Sequence, residues 1–153
     1  MDGKRKRAAS SVPGLPLALA AARSGSLDRV RAVIAQHDDL RLVHADDDDY
    51  TLLHALCQHN FPQLVALLLE KGLGGGDSRR ECVNVQDRWG VSPLMLAACN
   101  GNGECALLLL RNGADVTLAD CKGVRAEDWA RRYHHRVIVA AIEQERRKSP
   151  VKS

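Results

Sequence analysis

Apolar residues in this chain come in paired short runs separated by polar breaks. The segment TLLHALCQHNFPQLVALLLEKG at 51–72 holds two such runs, broken near Asn60. The segment SPLMLAACNGNGECALLLLRNG at 92–113 repeats the plan around Gly101. In register, Thr51 matches Ser92, Leu53 matches Leu94 and Gly72 matches Gly113. The flanks match as well: VNVQD at 83–87 parallels VTLAD at 116–120, and DRWGVS at 87–92 is echoed by DCKGVR at 120–125. Leu and Ala dominate the runs, which favours helices over strands. Each unit therefore predicts two short helices and a turn, and an internal repeat of this kind predicts a stacked array.

Two weaker units flank the strong pair. PLALAAARSGSLDRVRAVIAQ at 16–36 reads as an entry unit, with Ala21, Ala22, Gly25, Val30, Val33 and Ile34 in the expected places. RAEDWARRYHHRVIVAAIE at 125–143 reads as an exit unit in which Asp128-Trp129-Ala130 takes over the helix start. Asp87, Gly90, Ser92, Pro93, Leu94, Ala97, Ala98, Gly101, Leu108, Leu109, Gly113, Ala114, Asp115 and Val116 resemble the ankyrin repeat. That repeat has a period of about 33 residues and a T-P-L-H signature. Thr51, Leu53 and His54 carry the same likeness in the preceding unit. The resemblance implies an all-α solenoid of about four helix-turn-helix repeats with short hairpin fingers. It assigns repeats to about 12–45, 46–86, 87–119 and 120–143 within a domain at 11–143. Tails at 1–10 and 144–153 flank it, and a Gly-rich insertion falls at 73–82.

The repeat positions have mechanical reasons. A Thr or Ser hydroxyl caps the inner helix, and proline suits the first helical turn. Small Ala97 and Ala98 let neighbouring helices approach, and Leu107 to Leu110 are expected to supply the buried stripe of the outer helix. Asn60 and His134 stand where Gly101 stands, and Asp49 stands where Gly90 stands; these residue types tolerate left-handed backbone. Arg125-Ala126 lacks the Thr-Pro start, so the last inner helix is expected to fray or begin late.

Composition narrows the chemistry. Apolar residues make up 45% of the 153, enough for a packed core. Aromatic residues make up 3%, which disfavours a base-stacking domain. Five cysteines at irregular spacing fit a reducing compartment. Basic KRKR ahead of LPLALAAA has the outline of a secretory signal, but the apolar run is short and Pro16 interrupts it. No run approaches a membrane span. Of the formal charge of +3, residues 1–10 carry +3 and residues 143–153 carry +2, leaving −2 on 11–142. The basic character belongs to the tails.

Several clusters invite sharper readings. Gly72, Gly74, Gly75 and Gly76 lack the Lys-Ser/Thr of a phosphate loop and read as a flexible connection. His54, Cys57 and His59 have the residue types of a metal site, but no CxxC pair accompanies them. The resemblance instead makes His54 a structural hydrogen-bonding residue and Cys57 a core residue, with His59 facing outward. Asp128, His134 and His135 belong to the exit repeat rather than to a nucleophile–base pair. No catalytic residue, metal or cofactor is expected, so the chain is read as a non-enzyme.

The ankyrin likeness places binding on finger tips and the exposed side of the inner helices. By position these are Asp47 and Asp48, Arg88 and Trp89, and Cys121 and Lys122 at the tips. Tyr50, Val91 and Val124 precede the caps, and Gln58, His59, Cys99, Asn100, Arg132 and Tyr133 end the inner helices. Trp89 either projects beside Arg88 as an anchor or folds back on its neighbouring finger. The expected activity is protein–protein interaction by a monomer, as an adaptor or inhibitor in the nucleus or cytoplasm. Lys4, Arg5, Lys6 and Arg7 form a candidate nuclear-import signal, and Ser149 and Ser10 are candidate phosphorylation sites. Nucleic-acid contact, as part of a chromatin regulator, is expected only through the tails.

Overall fold

The computed structural model describes residues 14–36, 48–70 and 78–148. These form four helix pairs and one short extra helix. The pairs are α1 (Gly14–Arg23) with α2 (Leu27–Gln36), α3 (Leu52–Gln58) with α4 (Pro62–Glu70), α6 (Pro93–Asn100) with α7 (Gly103–Arg111), and α8 (Ala126–Arg132) with α9 (Arg136–Lys148). The extra helix is α5 (Ser78–Val83). The inner helices pack in order, α1 on α3, α3 on α6 and α6 on α8, while α4 packs on α7 and α7 on α9. The result is an all-α repeat solenoid, as the sequence predicts.

Local sequence explains each start and stop. Thr51 and Ser92 are extended caps whose hydroxyls accept the backbone N–H of His54 and Met95. Pro93 occupies the first turn of α6, where its missing N–H costs nothing. Left-handed backbone occurs at Gly25 (φ 72°), Asn60 (φ 59°), Gly101 (φ 73°) and His134 (φ 61°), the four equivalent turn positions between paired helices. It recurs at Asp49 (φ 58°), Gly90 (φ 77°) and Gly123 (φ 77°) in the fingers. The chain thus needs the same backbone turn at each register position and meets it with Gly, Asn, Asp or His.

The core is built from Leu52, Leu53, Leu56, Leu64, Leu94, Met95, Leu109, Ile138 and Ile142, with Ala97, Ala98, Ala106 and Ala130 where helices approach most closely. Burying each large side chain contributes about 1.5–3 kcal/mol. Polar side chains stitch successive repeats together. Asn102, at the start of α7, donates to the Cys57 and Gln58 carbonyls at the end of α3, at 2.6 and 3.2 Å. His135 does the same for the Cys99 carbonyl one repeat later, at 3.2 Å. All three acceptors are carbonyls in the last turn of a helix, where intrahelical donors run out.

Four details depart from expectation. α1 begins at Gly14, so Pro16 lies inside its first turn, where the backbone N–H groups have no helical acceptor anyway. The second half of the Gly-rich segment is helical, at Ser78–Val83. Asn84 follows it, donating to the Arg80 and Gly113 carbonyls and accepting the Asp115 N–H at 2.7 Å. The last inner helix starts on time at Ala126, because the Asp128 carboxylate accepts the Arg125 N–H at 3.0 Å. Leu107 points outward while Leu109 and Leu110 are buried, since a helix of 3.6 residues per turn cannot bury four consecutive side chains on one face.

The exit repeat replaces the core leucine of Leu53 and Leu94 with Glu127. Its carboxylate, largely buried, bridges Arg131 at 2.6 Å and Arg146 of α9, and Arg131 also reaches Glu143 at 3.0 Å.

Candidate partner-binding site

The fingers form a row through backbone bonds between neighbours. The Arg88 N–H donates to the Asp48 carbonyl at 2.8 Å, and the Cys121 N–H donates to the Trp89 carbonyl at 2.9 Å. Within the second and third fingers an aspartate holds the turn. Asp87 accepts the N–H groups of Trp89 and Val91, and Asp120 accepts those of Lys122 and Val124, all near 2.9–3.0 Å. Gln86 bridges the two fingers by donating to the Gly90 and Ala119 carbonyls.

That framework projects Trp89, which is 51% exposed. It does not fold back onto its neighbour. The Arg88 guanidinium lies 5.9 Å from its ring centroid and also pairs with Asp48 at 3.1 Å. Exposed pairs of this kind add only about 0.2–1 kcal/mol to stability. Tyr50 is half-buried: its ring stacks on His54 at 5.2 Å, and its hydroxyl donates to Gln58 Oε1. Tyr133 is 48% exposed. At the ends of α3 and α6, Gln58 and Asn100 are exposed and His59 and Cys99 half-buried. Val91 is half-buried, while Lys122 and Arg132 are exposed.

The inner-helix register reveals a residue that the motif reading passed over. Ala55 and Leu96 are followed in the exit repeat by Trp129. Its ring lies parallel to Tyr133, with centroids 6.1 Å apart and an interplanar angle of 4°. Arg132 covers Trp129 at 5.6 Å, and Tyr133 stacks in turn on His135 at 6.3 Å. Only alignment of α8 with the inner helices α3 and α6 would have exposed this signal, because Trp129 stands among charged neighbours in an unusual start sequence.

His54 and Cys57, the two buried members of the His54, Cys57 and His59 cluster, have structural partners. The Thr51 N–H donates to His54 Nδ1 at 3.1 Å, which places the ring proton on Nε2. Nε2 in turn donates to the Val91 carbonyl at 2.9 Å. Nδ1 therefore closes the cap within the second repeat, and Nε2 joins that repeat to the finger of the third. Burial raises the Cys57 thiol well above its ordinary pKa, and its neighbour Cys105 reinforces the shift, so Cys57 stays protonated. Burial also raises Cys99. Among the described residues no cluster of three or more His, Cys, Asp or Glu side chains has the arrangement of a metal site. Asp47, Lys4, Arg5, Lys6, Arg7, Ser10 and Ser149 lie outside the described residues.

The geometry defines a class of proteins: repeat solenoids that present fingers and inner helices as a continuous surface. A family model for ankyrin repeats (3 copies) matches residues 17–140, and the chain belongs to the ankyrin repeat family. The chain is also similar to a probable 26S proteasome regulatory subunit p28 of Saccharomyces cerevisiae. The two are 42% identical over 69 residues, 44% of this chain and 27% of that protein. The chain therefore spans about a quarter of the length of the curated relative it matches. Ankyrin repeats mark a protein–protein interaction module. No helix among the described residues is long and apolar enough to cross a membrane.

Proposed function

We propose that the protein is a non-catalytic adaptor or inhibitor that binds a nuclear or cytosolic protein through its fingers and inner helices. The observation that carries this reading is the exposure of Trp89 beside Arg88 on a finger held rigid from both sides. Trp and Arg dominate binding hot spots because they bury large area while keeping directional polar contacts. The ladder of finger bonds fixes the rings before binding, which lowers the ordering cost of association. The proteasome-subunit likeness supports a partner that is itself part of a larger assembly. Basic tails supply an address or a secondary contact.

The test is site-specific photo-crosslinking in the protein's own cells. A photoreactive residue at Trp89 or Tyr133 should capture a discrete protein, while one at Leu107 on α7 should not. Equal capture from all three positions, or none from the finger face, would remove the reading.

A further inference from the structure

The finger and inner-helix face is not electrostatically uniform. At the second repeat it carries Asp48 and Asp49, with Asp48 bonded to Arg88. Uncharged Gln58 and Asn100 follow. At the fourth repeat it carries Lys122 and Arg132, both exposed and neither paired with an acidic side chain among the described residues. By contrast Arg88, Arg131 and Arg146 all have carboxylate partners. Lys122 and Arg132 lie beside the stacked row formed by the rings of Trp129, Tyr133 and His135, whereas exposed Arg23, at the register position of Arg132 in the first repeat, has no such rings in its repeat.

Arg132 is also preset. Its guanidinium lies over the Trp129 ring at 5.6 Å from the centroid, within cation–π range, and a planar guanidinium held on a ring face keeps N–H donors for a further partner. Those donors match a carboxylate in a two-bond geometry, with the charge-assisted strength of such pairs. Beside it, Tyr133 offers half of its surface for apolar contact.

We propose that the fourth-repeat end of this face binds an acidic segment of a protein partner. Its carboxylates meet Arg132 and Lys122, and an adjacent apolar side chain lies on the Trp129–Tyr133 pair. This rests on the interaction reading above and adds the partner's chemistry and direction: acidic over the fourth repeat, not over the second. A single-stranded nucleic acid fits less well. Its phosphates continue beyond the cations, past the fingers that carry Asp48, Asp49 and Asp87, whereas a peptide can confine its charge to the cationic end.

The experiment uses the full chain and fluorescence anisotropy with three labelled probes: a short Asp/Glu/Leu peptide, the same peptide with Lys for each acid, and a short oligothymidylate. The acidic peptide should bind and the lysine peptide should not. Binding should weaken as salt rises from about 50 to about 300 mM, because exposed pairs are screened over roughly 8 Å near physiological ionic strength. Arg132→Glu should weaken it at least about tenfold, as expected for a lost charge-assisted contact. Arg111→Glu on α7 should leave it unchanged. Circular dichroism checks that both exposed-site variants keep their helices. Equal binding of the lysine peptide, preference for the oligothymidylate, or wild-type affinity in Arg132→Glu would each overturn the proposal. Failure of the peptide arms with retained crosslinking at Trp89 would sink the acidic-segment assignment and leave the interaction reading standing.

Discussion

Three glycines give a measurement of how closely the repeats approach one another. Gly90, Gly101 and Gly123 have φ of 77°, 73° and 77°, so alanine at each meets nearly the same backbone penalty. That penalty is about 1–2 kcal/mol. What differs is what the new Cβ touches. At Gly123 nothing lies within 4 Å. At Gly101 it meets the His135 ring at 2.6 Å, a side chain that can swing away but then gives up its bond to the Cys99 carbonyl. Losing that bond adds about 1 kcal/mol. At Gly90 the Cβ meets the Cys121 backbone nitrogen at 3.0 Å and the Asp120 Cα at 3.1 Å. Backbone cannot yield without opening the finger row, and overpacking of this kind adds about 1–3 kcal/mol. Urea unfolding followed by circular dichroism should therefore rank the alanine variants Gly123, Gly101, Gly90, destabilised by about 1–2, about 2–3 and about 2–5 kcal/mol. Equal losses at Gly90 and Gly123 would show that the second and third fingers are not in close contact, and would undo the rigid-finger argument.

Other outcomes follow from the same geometry. Asn102→Ala leaves the Cys57 and Gln58 carbonyls without their donor and should cost about 1–3 kcal/mol in the same unfolding assay. In thiol titration of the native protein, exposed Cys121 should react first and half-buried Cys99 more slowly, with Cys57, Cys82 and Cys105 reacting only after denaturation; early modification of Cys57 would contradict its burial. Replacing Lys4, Arg5, Lys6 and Arg7 with Ala should lower nuclear accumulation of a fluorescent fusion if the cluster acts as an import signal; an unchanged distribution would remove that role.

Much of the fold was readable because its demands are local. The left-handed turns at Asp49, Asn60 and His134 recur at fixed register, and few residue types accept that backbone. The caps at Thr51 and Ser92 are likewise written in adjacent residues. What escaped depends on distant partners. α5 is too short to announce itself by periodicity, and it joins the stack through the bonds of Asn84 to Gly113 and Asp115. The start of α8 came from Asp128 reaching back to a backbone N–H rather than from a capping hydroxyl. In the candidate site, the finger residues followed from register, but the Trp129–Tyr133 stack needed the orientation of a whole helix.

The Glu127 bridge has a consequence for how copies of the molecule meet. A solenoid end is a ready seat for the opposite end of another copy, and a contact between unlike surfaces need not close into a ring, so it can grow without limit. Here the last described repeat carries two half-exposed guanidinium groups anchored on the buried Glu127 carboxylate, and covering them would strip their water. Substituting leucine, the residue type at the two preceding register positions, would strip that barrier and hand the end face to its neighbours. Concentration-dependent light scattering from Glu127→Leu, absent from the wild type, is the expected sign that this ion cluster keeps the array from growing into a filament.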